Sequence, residues 1–404
     1  MRFFIILAIF ISIHVISDYY IFQVVKSVYK ETFFIIYFKW MVVFFSIVTI
    51  IAVLGIFFSI GGSVKRSFLV NILIGASFAY LAAKLLTVSF FFLVEVVRFL
   101  EWVLQLFHSQ SLTNVGRRKF LINVGLVLGA APLFSLIYGV IANRYNYKVR
   151  KLLLSFTDLP KTFNGYKIIQ ISDIHSGSFD NEKAVKKGIE MINAQKPDLV
   201  VFTGDLVNNH PNEIDPYLHI FREIKAKDGV MSVTGNHDYH FLYRNSGESF
   251  SLLVEKHQQL NYRMLNNEHV RIERGNDSIV IAGVENWGLP PFPQRGDLDK
   301  ALKNLQENDF VVLLSHDPSH WDAQILKHPQ HVHLTLSGHT HGMQFGVDLP
   351  RFKWSPVKWK YPQWIDLYNH ENQQLYVNRG FGFIGYPGRV GVLPEIALFE
   401  LKQS

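Results

Sequence analysis

The segment most informative about the architecture of this 404-residue chain is SGHTHG, residues 337–342. It follows the apolar run His333–Leu336, which predicts a β-strand leading directly into the segment. In an extended segment His339 and His341 project to the same side, because they are two positions apart. Two imidazoles aimed the same way after a strand are typical of metal ligation.

Four further predicted strands end in similar polar motifs. The motifs are Ile171-Ser172-Asp173-Ile174-His175, Thr203-Gly204-Asp205, Thr234-Gly235-Asn236-His237-Asp238 and Leu314-Ser315-His316-Asp317. Each alone is a weak signal, since Asp-x-His recurs by chance and Gly-Asp after a strand is usually a turn. Ligand sites in α/β sheets lie at the carboxyl ends of the strands, where the loops converge. Five such motifs in order therefore predict one site with several metal ligands.

Residues 161–404 alternate short apolar runs with polar segments of helical period. Predicted strands include Lys167–Ile171 and Phe310–Leu314. The predicted helices include Glu182–Ala194, Tyr217–Ile224, Ser251–Gln259 and Leu298–Gln306. Near-continuous apolar strands are typical of sheets whose faces are covered by helices. We therefore expect an α/β fold in one large domain, joined to the preceding part by a connector over residues 144–160.

The charge balance changes near residue 150. Residues 1–150 carry 14 Lys/Arg and 4 Asp/Glu, whereas residues 151–404 carry 26 and 29. The net charge of +7 thus belongs to the first part, and no nucleic-acid partner is expected for the second. A hydrophobic content of 49% excludes intrinsic disorder. The absence of cysteine excludes disulfides and restricts metal ligands to nitrogen and oxygen.

Residues 1–143 contain apolar stretches long enough for the ~20 helical residues that cross a bilayer. They run over Phe3–Val24, Phe33–Ile60, Phe68–Phe107 and Phe120–Ala142. The third is interrupted by charges and is expected to be one span that continues as an amphipathic helix along the membrane surface, with two spans joined by almost no loop as the less favoured alternative. These stretches predict an all-α transmembrane region of about four helices, with three or five still open.

Charges near the spans bear on transport and orientation. Asp18 and Lys39 lie near span ends, where their side chains can reach the membrane interface. No single span carries a cluster of ionisable groups, which disfavours transport. The run RRKFL at 117–121 resembles a twin-arginine export signal and is equally a positive-inside anchor. Both interpretations place the domain after residue 143 outside the cytoplasm. Lys65 and Arg66 argue for the opposite orientation.

The ordered set D-x-H, G-D, G-N-H-D, H and G-H-x-H resembles the calcineurin-like metallophosphoesterase superfamily. The tail motifs NRG (378–380), PGR (387–389) and PEI (394–396) are similar to its bacterial membrane-associated, YkuE-like branch. The resemblance implies a layered β-sandwich flanked by helices. Met343 stands where this branch usually has glycine, which affects the expected fit of the substrate rather than the ligands.

The resemblance also implies a dinuclear centre and its ligands. Two divalent ions (Mn, Fe, Zn or Co) would hold a bridging hydroxide that attacks the phosphoryl group. The implied ligands are Asp173, His175 and His341 for one ion, Asn236, His316 and His339 for the other, and Asp205 as the bridge. His237 is implied to protonate the leaving oxygen or stabilise the developing charge, with Asp238 holding its imidazole.

The implied function is a membrane-anchored phosphohydrolase of the phosphodiesterase or pyrophosphatase type. The expected location is the bacterial cytoplasmic membrane, multi-pass, with an extracytoplasmic catalytic domain. The anchor favours an envelope lipid or lipid-linked phosphate as substrate. Hydrolysis of a nucleotide-linked lipid precursor on the cytoplasmic face needs the opposite orientation. A different class of function is a membrane sensor or scaffold that binds a phosphorylated ligand without turnover. The sequence predicts neither the substrate-binding residues nor the oligomeric state.

Several residues near the motifs have two interpretations. His210 and His240 are candidates for substrate contact, whereas His331 and His333 are expected to be structural. Arg379 and Arg389 either steer a phosphate or pair with Glu395. A segment beyond Pro350 suits either a bilayer interface or an insertion packed on its own domain. Its aromatic and basic residues are Trp354, Trp359, Tyr361, Trp364, Lys353, Lys358 and Lys360.

Overall fold

The chain divides into two units, Met1–Ile141 and Ala142–Ser404. The structure, a computed structural model, describes residues 2–30, 32–59, 67–107, 115–239, 250–290, 292 and 294–404. His240, Lys65 and Arg66 lie outside the described residues.

The first unit consists of long apolar helices. They are α1 (Arg2–Lys26), α2 (Phe33–Ser59), α3 (Phe68–Gln105) and α4 (Val115–Tyr138), followed by a π-helical turn at Gly139–Asn143. Each is long and apolar enough to cross a membrane, which confirms the expected four helices. The third stretch is one helix of 38 residues, capped at Ser67, so the two-span alternative is wrong. At ~1.5 Å per residue it is about 57 Å long, nearly twice a ~30 Å hydrocarbon core.

A cluster of polar groups lies inside this unit, which the sequence of any single span does not reveal. The Asp18 carboxylate of α1 accepts hydrogen bonds from Ser46 of α2 and from Tyr80 of α3. The Lys84 ammonium of α3 lies 2.7 Å from Asp18 and 2.9 Å from Nδ1 of His14. Asp18 and Lys84 are buried, so the expectation that Asp18 reaches the interface is wrong. Lys39 is exposed.

The second unit contains two six-stranded sheets and one hairpin. The strands are β1 (Lys148–Phe156), β2 (Lys167–Ile171), β3 (Leu199–Phe202), β4 (Val230–Ser232), β5 (Tyr262–Met264), β6 (Glu268–Arg274), β7 (Asp277–Gly283), β8 (Phe310–Leu314), β9 (Leu334–Ser337), β10 (Val347–Leu349), β11 (Phe352–Trp354), β12 (Asp366–His370), β13 (Gln373–Val377) and β14 (Glu395–Gln403). The first sheet has the order β1-β14-β2-β3-β4-β5, and the second has the order β12-β13-β9-β8-β7-β6. Strands β2 to β5 run parallel, as do β7, β8, β9 and β13.

The helices of this unit cover the outer faces of the sheets. They are α5 (Glu182–Ala194), α6 (Leu218–Phe221), α7 (Ser251–Gln259), α8 (Leu298–Ala301) and α9 (Ser319–Ala323). α5 begins where the Asn181 side chain accepts a hydrogen bond from the Ala184 N–H, as an N-cap residue does.

Side chains that alternate between the two faces of each strand form the core layers of this unit. In β3, Leu199 and Val201 pack into the core between the two sheets, whereas Val200 and Phe202 pack against the helices on the other face. In β8, Val311 and Leu313 likewise contribute to a third core on the outer face of the second sheet. Since side chains alternate along a strand, an all-apolar strand fills a core on each face. The expected α/β sandwich flanked by helices is confirmed.

The structure also differs from expectation in the segment 144–160. It contains β1, which pairs with β14 over nine positions and forms the edge of the first sheet, so the segment is not a simple connector. Charges at Lys148, Arg150 and Lys151 concealed the strand, because an edge strand is only half buried.

Candidate metal centre

All five polar motifs meet at one end of the sandwich. β2, β3 and β4 are parallel neighbours in one sheet, and β8 and β9 are parallel neighbours in the other. Their carboxyl ends therefore open on the same edge, where the loops after them converge. Close approach of these loops requires glycine: Gly204 has φ +97°, and a Cβ there would lie 2.6 Å from the Gly235 nitrogen.

The first group of potential ligands contains Asp173, His175 and His341, all buried. Nε2 of His175 lies 3.0 Å from Nε2 of His341, and Nε2 of His341 lies 3.2 Å from Oδ1 of Asp173. One donor atom from each residue falls within 4.8 Å of the others.

The second group contains Asp205, His316 and His339. Nδ1 of His339 lies 3.3 Å from Nε2 of His316 and 2.8 Å from Oδ1 of Asn236, so Asn236 joins this group. Asp205 lies between the two groups, because its Oδ2 is 3.2 Å from His316 Nε2 and 3.6 Å from His175 Nε2. The structure thus brings together all seven residues that the sequence singled out as ligands.

The backbone at these residues is held in an uncommon conformation. Asp173, His175, Asp205, His339 and His341 all have positive φ, between 48° and 69°. Residues other than glycine adopt this region at a cost, and such strain concentrates at functional sites. Hydrogen bonds hold it in place: the His339 N–H donates to Asp173 and the His237 N–H donates to Asp205.

The ionisation of the site suits a cation. Burial alone would raise the pKa of Asp173 and of Asp205, but the neighbouring imidazoles, His341 and His316 foremost, hold both pKa values below the ordinary one. Burial lowers the pKa of His175 and of His339. The carboxylates are therefore ionised and these two histidines neutral near pH 7, which is the state in which such groups bind a metal.

His316 is oriented by its other ring nitrogen. Its Nδ1 donates to the carbonyl oxygen of Thr203 at 2.7 Å, which aims Nε2 at Asp205. Burial would lower the pKa of His316, but the Asp205 carboxylate raises it to about 10. A cation near Asp205 would replace the proton on Nε2. A carbonyl oxygen that fixes the ring of a ligand is common at metal sites.

The donor set fits divalent metals on its own chemistry. Nδ1 of His339 faces an amide oxygen and Nε2 of His175 faces another ring nitrogen, at 2.8 and 3.0 Å. Two neutral acceptors this close repel unless a cation or proton lies between them. Imidazole and carboxylate ligands suit Mn, Fe, Zn or Co.

His237 and Asp238 occupy different surroundings. The His237 ring lies edge-on to His175 with 5.0 Å between centroids, and its Nδ1 donates to the Asn208 carbonyl at 2.9 Å. Asp238 is fully buried and accepts from the N–H groups of Asp205, Leu206 and Gly235 at 2.8–2.9 Å. The expected contact of Asp238 with the His237 ring is not formed, because backbone N–H groups occupy its oxygens. Burial, followed by the charge of Asp205, raises the pKa of Asp238 to about 7.

Two residues beside His339 were not singled out as part of the site. The Tyr361 hydroxyl lies 2.8 Å from Nε2 of His339, and Oδ2 of Asp317 lies 3.5 Å from it. Asp317 could have been predicted to lie at the site, because it directly follows His316 in the sequence. Tyr361 could not, because it comes from the insertion after β11.

The remaining candidates have structural partners. Arg379 pairs with Glu395 at 2.9 Å and with Asp348 at 3.0 Å, as one of its two interpretations held. Arg389 is fully buried and donates to the carbonyl oxygens of Arg379, Gly380 and Gly382 instead of Glu395. His210 caps the helical turn Pro211–Tyr217, and His333 lies 2.7 Å from Asp158. Both arginines are buried and hold the loops through these bonds, and Arg389 also donates to the carbonyl oxygen of His341 at 3.3 Å.

Both units match known protein families. Residues 1–144 match the family "Probable Calcineurin-like phosphoesterase, transmembrane domain", and residues 166–343 match "Calcineurin-like phosphoesterase".

Similar proteins come from bacteria and vertebrates. The chain is 31% identical to the metallophosphoesterase YkuE of Bacillus subtilis, over 61% of this chain and 82% of YkuE. It is 32% identical to a metallophosphoesterase of Aquifex aeolicus, over 64% of this chain and 93% of the relative. It is 29% identical to a transmembrane protein with metallophosphoesterase domain from Danio rerio, over 66% of this chain but only 60% of that protein. The chain therefore belongs to the calcineurin-like metallophosphoesterase family and to its membrane-associated members.

Proposed function

We propose that the chain is a membrane-anchored, dinuclear metal-dependent phosphohydrolase of the phosphodiesterase or pyrophosphatase type. The observation that carries the proposal is the position of Asp205, whose Oδ2 lies within 3.6 Å of a histidine from each ligand group. A carboxylate that lies between two groups of donors is what a pair of neighbouring cations would require, because it can contact an ion on either side.

The ligand residues divide as follows in this proposal. Asp173, His175 and His341 would hold one divalent ion, Asn236, His316 and His339 would hold the other, and Asp205 would serve both. When bound, such a pair supplies Lewis-acid polarisation of the phosphoryl oxygens and activates water near neutral pH. The chain supplies the ligand geometry, fixed by Thr203 on His316 and by the His339 N–H on Asp173. Two carboxylates among the ligands leave two dications net positive, which attracts an anionic ester.

His237 is the proposed acid or charge-stabilising group. Its Nδ1 donates to the carbonyl of Asn208, so proton exchange with a substrate falls to Nε2. The ring is partly exposed and lies beside His175, which is fully buried. Since Nδ1 already holds the proton of the neutral ring, only the protonated imidazole can donate from Nε2 to the leaving oxygen.

Asp238 is a positioning residue in this proposal. Three backbone N–H groups of the Asp205 and Gly235 loops donate to its carboxylate. It therefore fixes the loop that carries the shared carboxylate and takes no part in proton transfer to the substrate.

The substrate we propose is a phosphate ester of the envelope, such as a lipid or lipid-linked phosphate, at an extracytoplasmic site. The transmembrane unit supports this, since it confines the site to the neighbourhood of a bilayer. The second candidate is a membrane sensor or scaffold that binds a phosphorylated ligand without turnover. All seven ligand side chains are present and converge, which favours the enzyme.

Hydrolysis of a simple diester tests the proposal. The purified full chain with Mn²⁺ should hydrolyse bis(p-nitrophenyl) phosphate, and Asp205→Asn should abolish turnover because one shared oxygen becomes an amide. His370→Ala, at an exposed strand end, is the matched control and should leave the rate unchanged. Metal and phosphate binding without turnover under Mn²⁺, Fe²⁺, Zn²⁺ and Co²⁺ would instead establish the sensor.

A further inference from the structure

Exposed apolar side chains of the second unit concentrate next to the metal centre. Among its described residues, five large apolar side chains are exposed, and four of these lie between residues 343 and 359. Met343, Leu349, Phe352 and Trp359 are 54%, 58%, 59% and 76% exposed. Scattered apolar residues on a surface need no explanation, but a local concentration marks an interaction site.

The same segment is basic. Residues 349–360 contain Arg351, Lys353, Lys358 and Lys360 and no acidic residue. All four cations are exposed, although Lys353 pairs with Asp366. The nearby Asp348 is neutralised by Arg379, which lies 3.0 Å away. The segment thus combines apolar side chains with uncompensated positive charge.

A chain of contacts joins this segment to the ligands. Trp359 lies against Trp354 of β11, with 6.0 Å between the rings. Lys360 lies 5.5 Å from the ring of Phe292, which is itself 5.2 Å from the ring of His339. The next residue, Tyr361, contacts His339 directly.

The segment is also fixed to the metal loop at its base. The Ser355 hydroxyl donates to the carbonyl of Gly342 at 3.0 Å, and Tyr361 and Trp364 are buried. The base of the segment therefore packs on its own domain, whereas the side chains of Leu349, Phe352 and Trp359 remain exposed.

We define the hairpin patch as Met343, Leu349, Phe352 and Trp359 with Arg351 and Lys358. We propose that the hairpin patch binds to a bilayer that contains anionic lipids. Aromatic and aliphatic side chains bury at the interface while cations contact anionic headgroups. A second copy of the chain fits less well, because a symmetric contact would bring the same cations together. The patch would hold the metal centre at headgroup level. This link to a lipid substrate rests on the proposed function, whereas the membrane contact does not.

A unique thiol makes the contact measurable in the full chain. Because the chain has no cysteine, Leu349→Cys can carry a single NBD label after reconstitution into vesicles of phosphatidylcholine, with or without phosphatidylglycerol. We expect a blue-shifted emission, quenched by doxyl-labelled lipids, in the anionic vesicles and a smaller shift at high salt. Glu307→Cys is the matched control, since it is exposed in the turn before β8, at the end of the sheet away from the ligands. Its label should stay water-exposed.

Two further changes complete the test: reversal of the charges in the hairpin patch and variation of the protein-to-lipid ratio. Arg351→Glu with Lys358→Glu should remove the shift at position 349 but leave hydrolysis of the soluble diester unchanged. Emission at 349 that matches emission at 307 in anionic vesicles would overturn the proposal, as would an equal shift without phosphatidylglycerol. A shift that grows with the protein-to-lipid ratio would indicate contact between copies and also overturn it. Because the fluorescence does not depend on turnover, an inactive protein would contradict the proposed function alone.

Discussion

Individual residues at the candidate metal centre combine a strained backbone with hydrogen bonds that join one ligand loop to another. Five of the seven proposed ligands have positive φ, at a cost of order 1–3 kcal/mol each. The strain persists because N–H groups of one ligand loop donate to a carboxylate of another, as between His339 and Asp173. The loops therefore support one another, and the geometry does not depend on any single strand.

His237→Ala tests the separation of metal binding from proton transfer. We expect both metals to be retained and turnover to fall by about 10²–10⁴-fold, since a general acid typically contributes that much. Metal content by mass spectrometry and the rate of diester hydrolysis measure the two effects. An equal loss of metal and rate would show that His237 acts as a ligand.

The residues of the candidate site could be predicted where a polar motif follows a strand along the chain. Each proposed ligand lies two to four residues beyond the end of a buried strand, so its position at the carboxyl edge could be inferred. Asp238 was misassigned because neighbours in sequence diverge in a tight turn: its carboxylate faces backbone N–H groups, whereas the His237 ring faces Asn208. Tyr361 could not be found, because an insertion returns it to His339 from beyond the hairpin.

Among the elements, those with a clear hydrophobic pattern were predictable to the residue. β2, α5, α7 and β8 begin and end where the sequence places them. The predicted helix Leu298–Gln306 is shorter, ending at Ala301, and Tyr217–Ile224 is reduced to α6 after a turn that contains Pro216. The hairpin and β12 escaped prediction because they are short or partly exposed, so burial imposes no strict alternation.

Packing of the transmembrane helices rests in part on the pair Asp18–Lys84. Lys84→Met alone should destabilise the unit by about 3–5 kcal/mol, because it leaves the Asp18 carboxylate buried without its cation. The double variant Asp18→Asn, Lys84→Met should recover much of that loss. Unfolding of the full chain in detergent, titrated with sodium dodecyl sulfate, measures both.

Lys39→Met serves as the matched control for this pair, since Lys39 is exposed on α2. Its effect on stability should be small. Additive losses in the double variant would mean that Asp18 and Lys84 do not stabilise each other.

Helix α7 introduces an acid-sensitive group into the second unit. Burial lowers the pKa of His257 to about 3, and its Nδ1 lies 2.9 Å from the Ser232 hydroxyl. The unfolded chain takes up this proton below its ordinary pKa of 6.5 and the folded chain does not. Stability is therefore lost as the pH falls from 6.5 towards 3, at up to about 1.4 kcal/mol per pH unit.

His257→Phe should flatten that dependence, whatever its effect at neutral pH. Thermal midpoints of the metal-free wild type and variant, compared between neutral pH and pH 5, isolate the contribution of this one proton. If the thermal midpoints of wild type and variant fall by the same amount between neutral pH and pH 5, His257 does not cause the loss of stability in acid.

For the whole molecule, the side of the membrane on which the second unit lies decides which substrates can reach the site. In intact cells we expect a membrane-impermeant maleimide to label Glu307→Cys, and to label Gly116→Cys only after lysis. The cations at 117–119 are the physical reason, since they resist transfer across the membrane. The reverse pattern would place the site in the cytoplasm and favour a nucleotide-linked lipid precursor as substrate.

We infer that two cations bind where the five strand-end loops meet. The metal content of the full chain tests this binding, measured by inductively coupled plasma mass spectrometry after loading with Mn²⁺ and removal of free metal. We predict two ions per wild-type chain, and fewer in Asp205→Asn, because both groups of donors share that carboxylate. A folded wild type with no bound ion, or an Asp205→Asn variant with undiminished content, would contradict the account.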